Sequence, residues 1–371
     1  MLGRHAGVSR REFLAGTGRL GALYSLAAAL PFPAAALGRL LDNPRIAQTP
    51  LVDAGFASVR KIGDGLYATI SDTSKGISTM CNGGFLIGKD AALLVEGFVT
   101  GAVAAFQLET LRKVSQVPAT GALDTHYHFD HSLGNAHYAG NGIQLWAHAA
   151  VPQRIASNYS PLQAADRSAF LAPFEKRVKD ASSEAAKAHA ETDLRAMGNV
   201  FDLVNKAALT LPNRLLDPAK LPMKVDLGQL PVVIETYPGH SGTDIVVRVP
   251  DQKVAYSGDL IFNGSYPATF DEKATISGWR ETLKTFASWD KDTIFVPGHG
   301  QICGQEGVQH LREVFDDLAE QAEKLHKAGV PVAEAADRYV IPDKYKSMPI
   351  FAWGFCIGPA ITKLYAEWQT K

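Results

Sequence analysis

The sequence has few cysteines and no strong charge of either sign. Its three cysteines, Cys81, Cys303 and Cys356, are widely spaced, and no two of them form a C-x-x-C pair. This pattern argues against a disulfide framework, although it leaves room for one bridge. We interpret all three as small buried side chains, and Cys303 lies in no recognisable nucleophile motif.

Nothing in the charge pattern indicates a polyanionic partner. The formal net charge is −1, and the body of the chain contains no run of basic residues. We therefore expect neither nucleic acid nor an anionic membrane as a partner. No 20–50-residue repeat or low-complexity tract occurs, and the composition, 46% hydrophobic and 20% charged, is typical of a globular protein with a sizeable core. A small molecule is the expected partner, and the sequence predicts no particular oligomeric state.

Residues 1–36 predict a cleavable export signal. Arg10-Arg11 and Phe13-Leu14 precede an apolar stretch from about Leu20 to Leu30, and Ala34-Ala35-Ala36 follows. A charged segment, a short apolar core and an A-x-A site are typical of signal peptides, and this core is too short to span a bilayer comfortably. The arginine pair resembles a twin-arginine (Tat) signal, with Ala15 in place of the usual lysine; a generic secretory signal is the alternative. We expect export to the periplasm without stable membrane insertion after cleavage.

Residues 37–371 alternate strand-like and helix-like segments, which we interpret as one catalytic domain. Alternation of strands with helices indicates an α/β architecture. Short apolar runs between turn residues predict strands over Gly65–Ile70, Gly84–Ile87, Ala91–Val95, Ala122–Thr125, Ile143–Trp146, Val232–Thr236, Ile245–Val249, Val254–Ser257 and Thr293–Val296. Longer runs predict helices over Thr100–Val114, Gly278–Trp289 and Gln305–Lys327.

Two further regions are predicted to be helical. Residues 161–211 are rich in Ala, Glu, Lys and Arg, and we interpret them as an insertion within the domain that would enclose the pocket if it forms a lid. A second helical region closes the chain from about Pro331 to Trp368. Within it, Met348–Phe355 is strongly apolar and aromatic; we interpret it as core packing, with a wall of the substrate pocket as the alternative.

The strongest functional signal is the run T-H-Y-H-F-D-H at residues 125–131, directly after an apolar segment. It places His126, His128, Asp130 and His131 on one turn at the end of a predicted strand. Neutral imidazoles and carboxylates suit zinc-like divalent metals. Taken alone, this run could be a surface cluster of histidines.

Three later motifs supply further ligand types in the same setting. His240 lies in Y-P-G-H-S-G-T-D, Asp259 ends Y-S-G-D, and His299 lies in V-P-G-H-G, each at the end of a predicted strand. The neighbouring glycines let the backbone turn sharply beside a metal. Four such motifs in order favour a metal site over chance.

With these motifs, residues from about Val59 to His310 resemble the metallo-β-lactamase superfamily, in particular its glyoxalase II-like hydrolases. The resemblance implies a four-layer αββα sandwich with the site at one edge. It also implies two metal ions, with zinc expected and iron or manganese left open. The implied ligands are His126, His128 and His240 for the first ion, Asp130, His131 and His299 for the second, and Asp259 as a bridge.

These ligands predict a hydrolase. A water between two divalent cations has its pKa lowered from 15.7 towards about 7, so hydroxide is available at neutral pH. We expect Asp130 to orient this hydroxide for cleavage of an ester, thioester, lactone or amide. Asp259 argues against β-lactamase activity, because the best-known antibiotic-degrading branches have cysteine or serine at this position. Members of the superfamily often have an aspartate after the second strand, where this chain has Glu96. The role of Glu96 beneath the turn that carries the implied metal ligands is therefore left open.

Two other functions remain open from the sequence. One related branch oxidises thiols or persulfides with a single iron held by two histidines and an aspartate, and His126, His240 and Asp259 would suffice for it. The other is a non-catalytic metal-binding or scaffold protein, which usually lacks one or more ligands. Six histidines do not fit the ligand pattern: His5, His137, His148, His189, His310 and His326. Tyr127, Asn263 and Tyr266 are candidates for substrate contact.

Overall fold

The structure is a computed structural model that describes residues 40–76 and 80–369. The predicted signal peptide lies outside the described residues. The described chain forms two β-sheets, one of eight strands and one of five. It contains no helix that is both long and apolar enough to cross a membrane.

The first sheet follows the order of the sequence from β1 to β8. Its strands are β1 Val52–Asp53, β2 Ala57–Gly63, β3 Leu66–Ser71, β4 Gly83–Ile87, β5 Ala92–Val95, β6 Ala119–Leu123, β7 Gln144–His148 and β8 Arg214–Leu216. The first five strands are antiparallel, whereas β5 to β8 run parallel to one another. The carboxyl ends of β5 and β6 therefore meet at one edge of the sheet.

The second sheet has the order β13-β12-β11-β10-β9. Its strands are β9 Met223–Asp226, β10 Pro231–Thr236, β11 Ile245–Val249, β12 Val254–Asn263 and β13 Ile294–Gly300. Only β12 and β13 are parallel, and their register pairs Gly258 with Pro297 and Phe262 with His299. This pairing brings Asp259 and His299 to the same end of the sheet.

The helices lie outside the two sheets. They are α1 Gly101–Val114, α2 Phe129–Ser132, α3 Asn135–Gly140, α4 Val151–Ala164, α5 Arg167–Lys179, α6 Glu184–Lys206, α7 Ile276–Ala287, α8 Gln305–Lys327, α9 Val332–Ala335 and α10 Ile357–Gln369. One apolar cluster joins the inner faces of the sheets, with Leu93 and Leu123 of the first beside Val247 and Val254 of the second. A second cluster packs α1 on the outside of the first sheet, and a third packs α7, α8 and α10 on the outside of the second. The predicted α/β class and four-layer αββα sandwich are confirmed.

The two regions predicted to be helical differ in detail from the prediction. Between β7 and β8 the chain forms α4, α5 and α6, so the helical segment begins at Val151 rather than near Pro161, which lies inside α4. The C-terminal region is helical mainly at its end, in α10. Residues 339–356 contain only a short 3-10 turn at Asp343–Tyr345, because Pro342 and Pro349 lack the backbone N–H that a helix requires.

Candidate metal centre

All seven predicted ligands are buried and lie together at one edge of the sandwich. His126 and His128 lie on the turn after β6, and Asp130 and His131 lie in α2, which follows this turn directly. The turn between β10 and β11 carries His240, whereas Asp259 lies within β12 and His299 within β13. Turns, a short helix and two strands therefore bring the seven residues together at this edge.

The first group consists of His126, His128 and His240. The Nδ1 atom of His128 lies 3.0 Å from Nε2 of His126 and 2.8 Å from Nε2 of His240. Ring nitrogens that converge in this way suit a cation, since a neutral imidazole has one free lone pair to offer.

The second group consists of Asp130, His131 and His299. The Nε2 atom of His299 lies 3.3 Å from Oδ2 of Asp130, and Nε2 of His131 lies 3.6 Å from the same oxygen. This group combines two imidazoles with a carboxylate, which gives it more negative charge than the first group.

Asp259 lies between the two groups and directs one carboxylate oxygen at each. Its Oδ2 atom is 3.3 Å from Nε2 of His240 and 3.8 Å from Nε2 of His126. Its Oδ1 atom is 3.1 Å from Nε2 of His131 and 3.2 Å from Nε2 of His299. A bridging ligand needs this arrangement, because one imidazole could not serve both groups.

In the first group, the second ring nitrogen of each histidine has its own acceptor. The Nδ1 atom of His240 lies 2.9 Å from the carbonyl oxygen of Ala268, and Nδ1 of His126 lies 3.1 Å from the Thr125 hydroxyl. The Nε2 atom of His128 lies 3.1 Å from the carboxylate of Asp271. Each acceptor favours the tautomer in which the ring nitrogen facing it carries the proton. The second nitrogen of that ring then keeps its lone pair for a metal.

Glu96 contacts both groups from below. Its Oε1 atom accepts a hydrogen bond from the Thr125 hydroxyl (2.6 Å) and lies 3.2 Å from Nδ1 of His131. Because Thr125 in turn contacts His126, one carboxylate supports a histidine of each group. The parallel pairing of β5 with β6 creates this proximity, and it gives Glu96 the role beneath the metal turn that the sequence left open.

Two glycines are required by the close approach of the strands. A Cβ atom at Gly298 would lie 1.9 Å from Oδ1 of Asp259. Gly258 has a φ of +51°, and a Cβ atom there would lie 2.3 Å from the hydroxyl of Thr125. Larger residues would therefore displace Asp259 or the turn that carries the first ligands.

The two groups differ in the pKa values of their histidines. Burial lowers the pKa of His126 well below its usual value and lowers the pKa of His240 to about 3. For His299, burial acts in the same direction, but the charges of Asp259 and Asp130 outweigh it and raise the pKa to about 9. The pKa of His131 is raised in the same way by its acidic neighbours. At neutral pH His126 and His240 are therefore uncharged, whereas His131 and His299 hold protons that a metal would displace.

Orphaned polar atoms indicate that cations fit this site. Both ring nitrogens of His131 and Oδ1 of Asp259 are buried and have no hydrogen-bond partner within the described part of the chain. Unsatisfied buried polar atoms are costly, and metal coordination would satisfy Nε2 of His131 and Oδ1 of Asp259 together. The donor set of imidazoles and carboxylates suits zinc-like divalent ions.

Three neighbours of the ligands were not predicted. Asp271 accepts hydrogen bonds at Oδ2 from the Tyr127 hydroxyl (2.5 Å) and from Arg154 (2.7 Å), besides its contact with His128. Cys81 lies beside His131 and Glu96, where burial raises the pKa of its thiol well above the usual value. No sequence motif marks these positions, because loops distant in the sequence bring them together.

A cleft opens over the ligands. Its lining includes His128, Asp130, Asp259 and His299, together with residues from the loop after β12 and from the C-terminal segment. Asn263 and Tyr266 line the cleft, as predicted, whereas Tyr127 instead points its hydroxyl at Asp271.

The cleft also bears on the C-terminal segment and on the insertion. Trp353 packs in the core, and Phe351 and Phe355 pack against it, whereas Pro349, Phe351 and Phe355 also form part of the wall of the cleft. Met348–Phe355 therefore combines the favoured interpretation, core packing, with the alternative, a wall of the pocket. No residue of 161–211, all of which lie in the described part, lines the cleft, so this structure has no lid formed by the insertion.

The remaining histidines lie apart from the ligands. Among the described residues, no cluster able to hold a metal includes His137, His148, His189, His310 or His326. His189 instead stacks on Trp353, with ring centroids 3.5 Å apart. His5 lies outside the described residues.

A family model that covers more than half of the chain shows which family it belongs to. The family model described as "Metallo-beta-lactamase superfamily" matches residues 78–299, which is more than half of the chain and includes every predicted ligand. A curated relative, the metallo-beta-lactamase type 2 of Bacteroides fragilis, is 26% identical over 88 residues, and the match covers 23% of this chain and 35% of the relative. A solved structure, the metallo-beta-lactamase from Pontibacter korlensis, matches with a TM-score of 0.47 and 13% identity over 72% of this chain and 98% of that one. The chain belongs to the metallo-β-lactamase superfamily.

Proposed function

We propose that the protein is a dinuclear metal-dependent hydrolase of the glyoxalase II-like type, which cleaves an ester, thioester, lactone or amide. The observation that carries this proposal is Asp259, which directs one oxygen at each of two complete ligand groups. A mononuclear oxygenase would need neither the second group nor a shared carboxylate. Zinc is the proposed metal, since imidazole nitrogens and carboxylate oxygens are among its usual ligands.

When bound, two such ions would supply hydroxide at neutral pH and a Lewis acid for the scissile carbonyl. The residues of the chain then have separate tasks. Asp130 belongs to the second group and also lines the cleft, so its carboxylate is placed to orient the attacking oxygen towards a bound substrate. Asp271 holds His128 in its ligating tautomer, and Glu96 supports the turn that carries the histidines through the Thr125 hydroxyl.

The remainder of the proposal concerns the setting of the enzyme. We propose that residues 1–36 direct the protein to the periplasm by the twin-arginine route, which carries folded proteins and so suits a chain that binds its metals before export. Residues 37–371 would then form the mature catalytic domain. Loss of the N-terminal segment in protein recovered from the periplasm, detected by mass spectrometry, tests this assignment.

The first experiment is elemental analysis of the folded mature protein, followed by assays with esters, thioesters, lactones and amides. Two zinc ions per chain with turnover of any of these classes is the expected result. One iron per chain, with oxygen consumption on thiols and no hydrolysis, would refute the proposal. The variant Asp259→Ala should lose bound metal and hydrolysis together, and full activity in this variant would contradict the bridging role.

A further inference from the structure

The cleft has a continuous aromatic wall, formed by Phe270, Phe351 and Phe355. The ring of Phe270 stacks on the ligand His128 with centroids 4.7 Å apart, and Phe355 meets Phe270 edge to face at 4.5 Å. Phe351 continues the series, 5.3 Å from Phe355. All three rings are only half-buried, so they present apolar surface to the cleft directly beside the metal ligands.

Backbone hydrogen bonds hold this wall in place. The amide of Thr269 donates to the carbonyl oxygen of Phe355 (2.7 Å), and the amide of Tyr266 donates to that of Pro349 (3.1 Å). The amide of Gly354 donates to the carboxylate of Asp193 on α6 (2.7 Å). The insertion thus supports the wall from behind, and a wall fixed in this way is formed before the substrate arrives.

Within the described part of the chain, the residues that line the cleft include no lysine or arginine. Apart from the ligands, its polar side chains are those of Thr73, Asn263, Ser265 and Tyr266. The Tyr266 hydroxyl contacts that of Tyr339 at 3.1 Å, and the amide nitrogen of Asn263 donates to the carbonyl oxygen of Gln301 at 2.8 Å. An anionic group placed along this wall, away from the metals, would lose part of its hydration without gaining a cationic side chain as partner, which is unfavourable.

The guanidinium of Arg154, which lies behind the ligand His128, is already engaged. Arg154 pairs with Asp271 (2.7 Å) and with Glu272 (2.5 Å), and it does not line the cleft. It is therefore not available to receive a carboxylate from a substrate at the wall.

We propose that the substrate is an uncharged ester, thioester, lactone or amide with a bulky aromatic or alkyl group that packs against Phe270, Phe351 and Phe355. This inference rests on the proposed hydrolase function and specifies its substrate class. It argues against substrates that carry a carboxylate a few bonds from the scissile carbonyl. Burial of each methylene is worth roughly a fourfold gain in binding, so the length of an apolar acyl chain should control the rate at low substrate concentration.

The test compares 4-nitrophenyl acetate, hexanoate and monoadipate with the zinc-loaded protein. Hexanoate and monoadipate have acyl chains of the same length and differ in the terminal methyl or carboxylate group. We expect kcat/KM to rise about fifteenfold from acetate to hexanoate, if half of the added surface is buried. The monoadipate should be at least about tenfold poorer than the hexanoate, the cost of one unpaired charge near the wall.

Two variants link this selectivity to the wall. Phe355→Ala should lower kcat/KM for the hexanoate about tenfold, mainly through KM, whereas Phe174→Ala, the same change on α5 outside the cleft, should have no effect. Ser265→Lys places a cation at a half-buried position of the lining, where a lysine can keep its ammonium group in water. It should improve the monoadipate relative to the hexanoate about tenfold. Metal content is measured for each variant.

The outcomes separate the two proposals. Hydrolysis of all three esters with the monoadipate equal to or better than the hexanoate would overturn the substrate class and leave the hydrolase intact. An unchanged preference in Phe355→Ala and Ser265→Lys, with full metal content, would overturn the role of the wall. No turnover of any ester, thioester, lactone or amide by the zinc-loaded protein would refute the hydrolase, and the substrate class with it.

Discussion

Replacing Asp271 with asparagine tests whether the unpredicted contacts behind the ligands control metal binding. The Asp271 carboxylate receives the Nε2–H of His128, the hydroxyl of Tyr127 and the guanidinium of Arg154. Burial would raise the pKa of Asp271, but these hydrogen bonds outweigh it and hold the pKa below its usual range. The carboxylate is therefore ionised at all pH values relevant to function.

The expected magnitude follows from this geometry. All three donors converge on one oxygen, so an amide oxygen can still accept them, but without the charge that strengthens each bond. Loss of a carboxylate behind a metal-ligating histidine typically weakens metal binding about 10–100-fold, or about 1.4–2.7 kcal/mol. We expect Asp271→Asn to reach this range at the first group, because His128 loses the negative charge that raises its basicity as a ligand. The second group should be affected less, since Asp271 contacts none of its members.

The assay is competition of the metal-free protein with a chelator of known affinity, which resolves the two binding constants without any substrate. Asp202→Asn is the matched control, because Asp202 forms an exposed ion pair with Arg167 on the insertion and exposed pairs contribute about 0–1 kcal/mol. Tyr127→Phe removes one of the three donors and should give a smaller effect in the same direction. If Asp271→Asn binds both metals as tightly as the parent protein, Asp271 does not position His128.

Three further results are expected. Glu96→Gln should weaken metal binding at both groups about tenfold or more, because this carboxylate supports a histidine of each; an effect confined to one group, in the same chelator assay, would contradict the shared role. Gly298→Ala should lower the metal content by displacing Asp259, whereas Gly140→Ala, where nothing lies within 4 Å of the added Cβ, should not; circular dichroism checks that both fold. Apparent affinity at the second group should rise at least about tenfold per pH unit up to about pH 9, because His299 and His131 must each lose a proton to bind. The first group should show a smaller slope between pH 6 and 8, because His126 and His240 are already neutral there, and equal slopes by calorimetry would refute the division.

The sequence singles out the seven candidate ligands because each lies in a short motif that follows an apolar run. Residues 125–131 place four ligand groups within seven positions, and the other three candidates each follow an apolar run and a glycine. Such boundaries are where the pattern of the sequence is clearest, since a buried run changes there to polar residues and turn formers. The α/β class followed from the same runs, whereas the two-sheet sandwich followed from the resemblance to the superfamily.

The supporting contacts were not predictable from one sequence. Asp271 is separated from His128 by 143 positions and Arg154 from Asp271 by 117, and no local pattern relates them. Met348–Phe355 shows why composition alone misleads here: an aromatic segment has the same sequence pattern whether it fills a core or lines a cleft. Only the position of Pro349 and Phe355 beside the loop after β12 distinguishes the two.

Both ligand groups draw on residues 126–131, but their histidines differ in protonation before a metal binds. In the first group, burial keeps the imidazoles of His126 and His240 neutral, so a metal can bind them without displacing a proton. In the second, the charges of Asp130 and Asp259 hold His299 protonated at neutral pH; with a pKa about two units above pH 7, the proton weakens metal binding about 100-fold. The same acidic charge that retains the proton attracts the cation, so the cost falls as the pH rises towards 9. It follows that the first group binds a metal before the second at neutral pH, if the intrinsic affinities of the two groups are similar. Asp259 is the one ligand common to both groups, so a metal bound at the first group changes the charge that acts on the second.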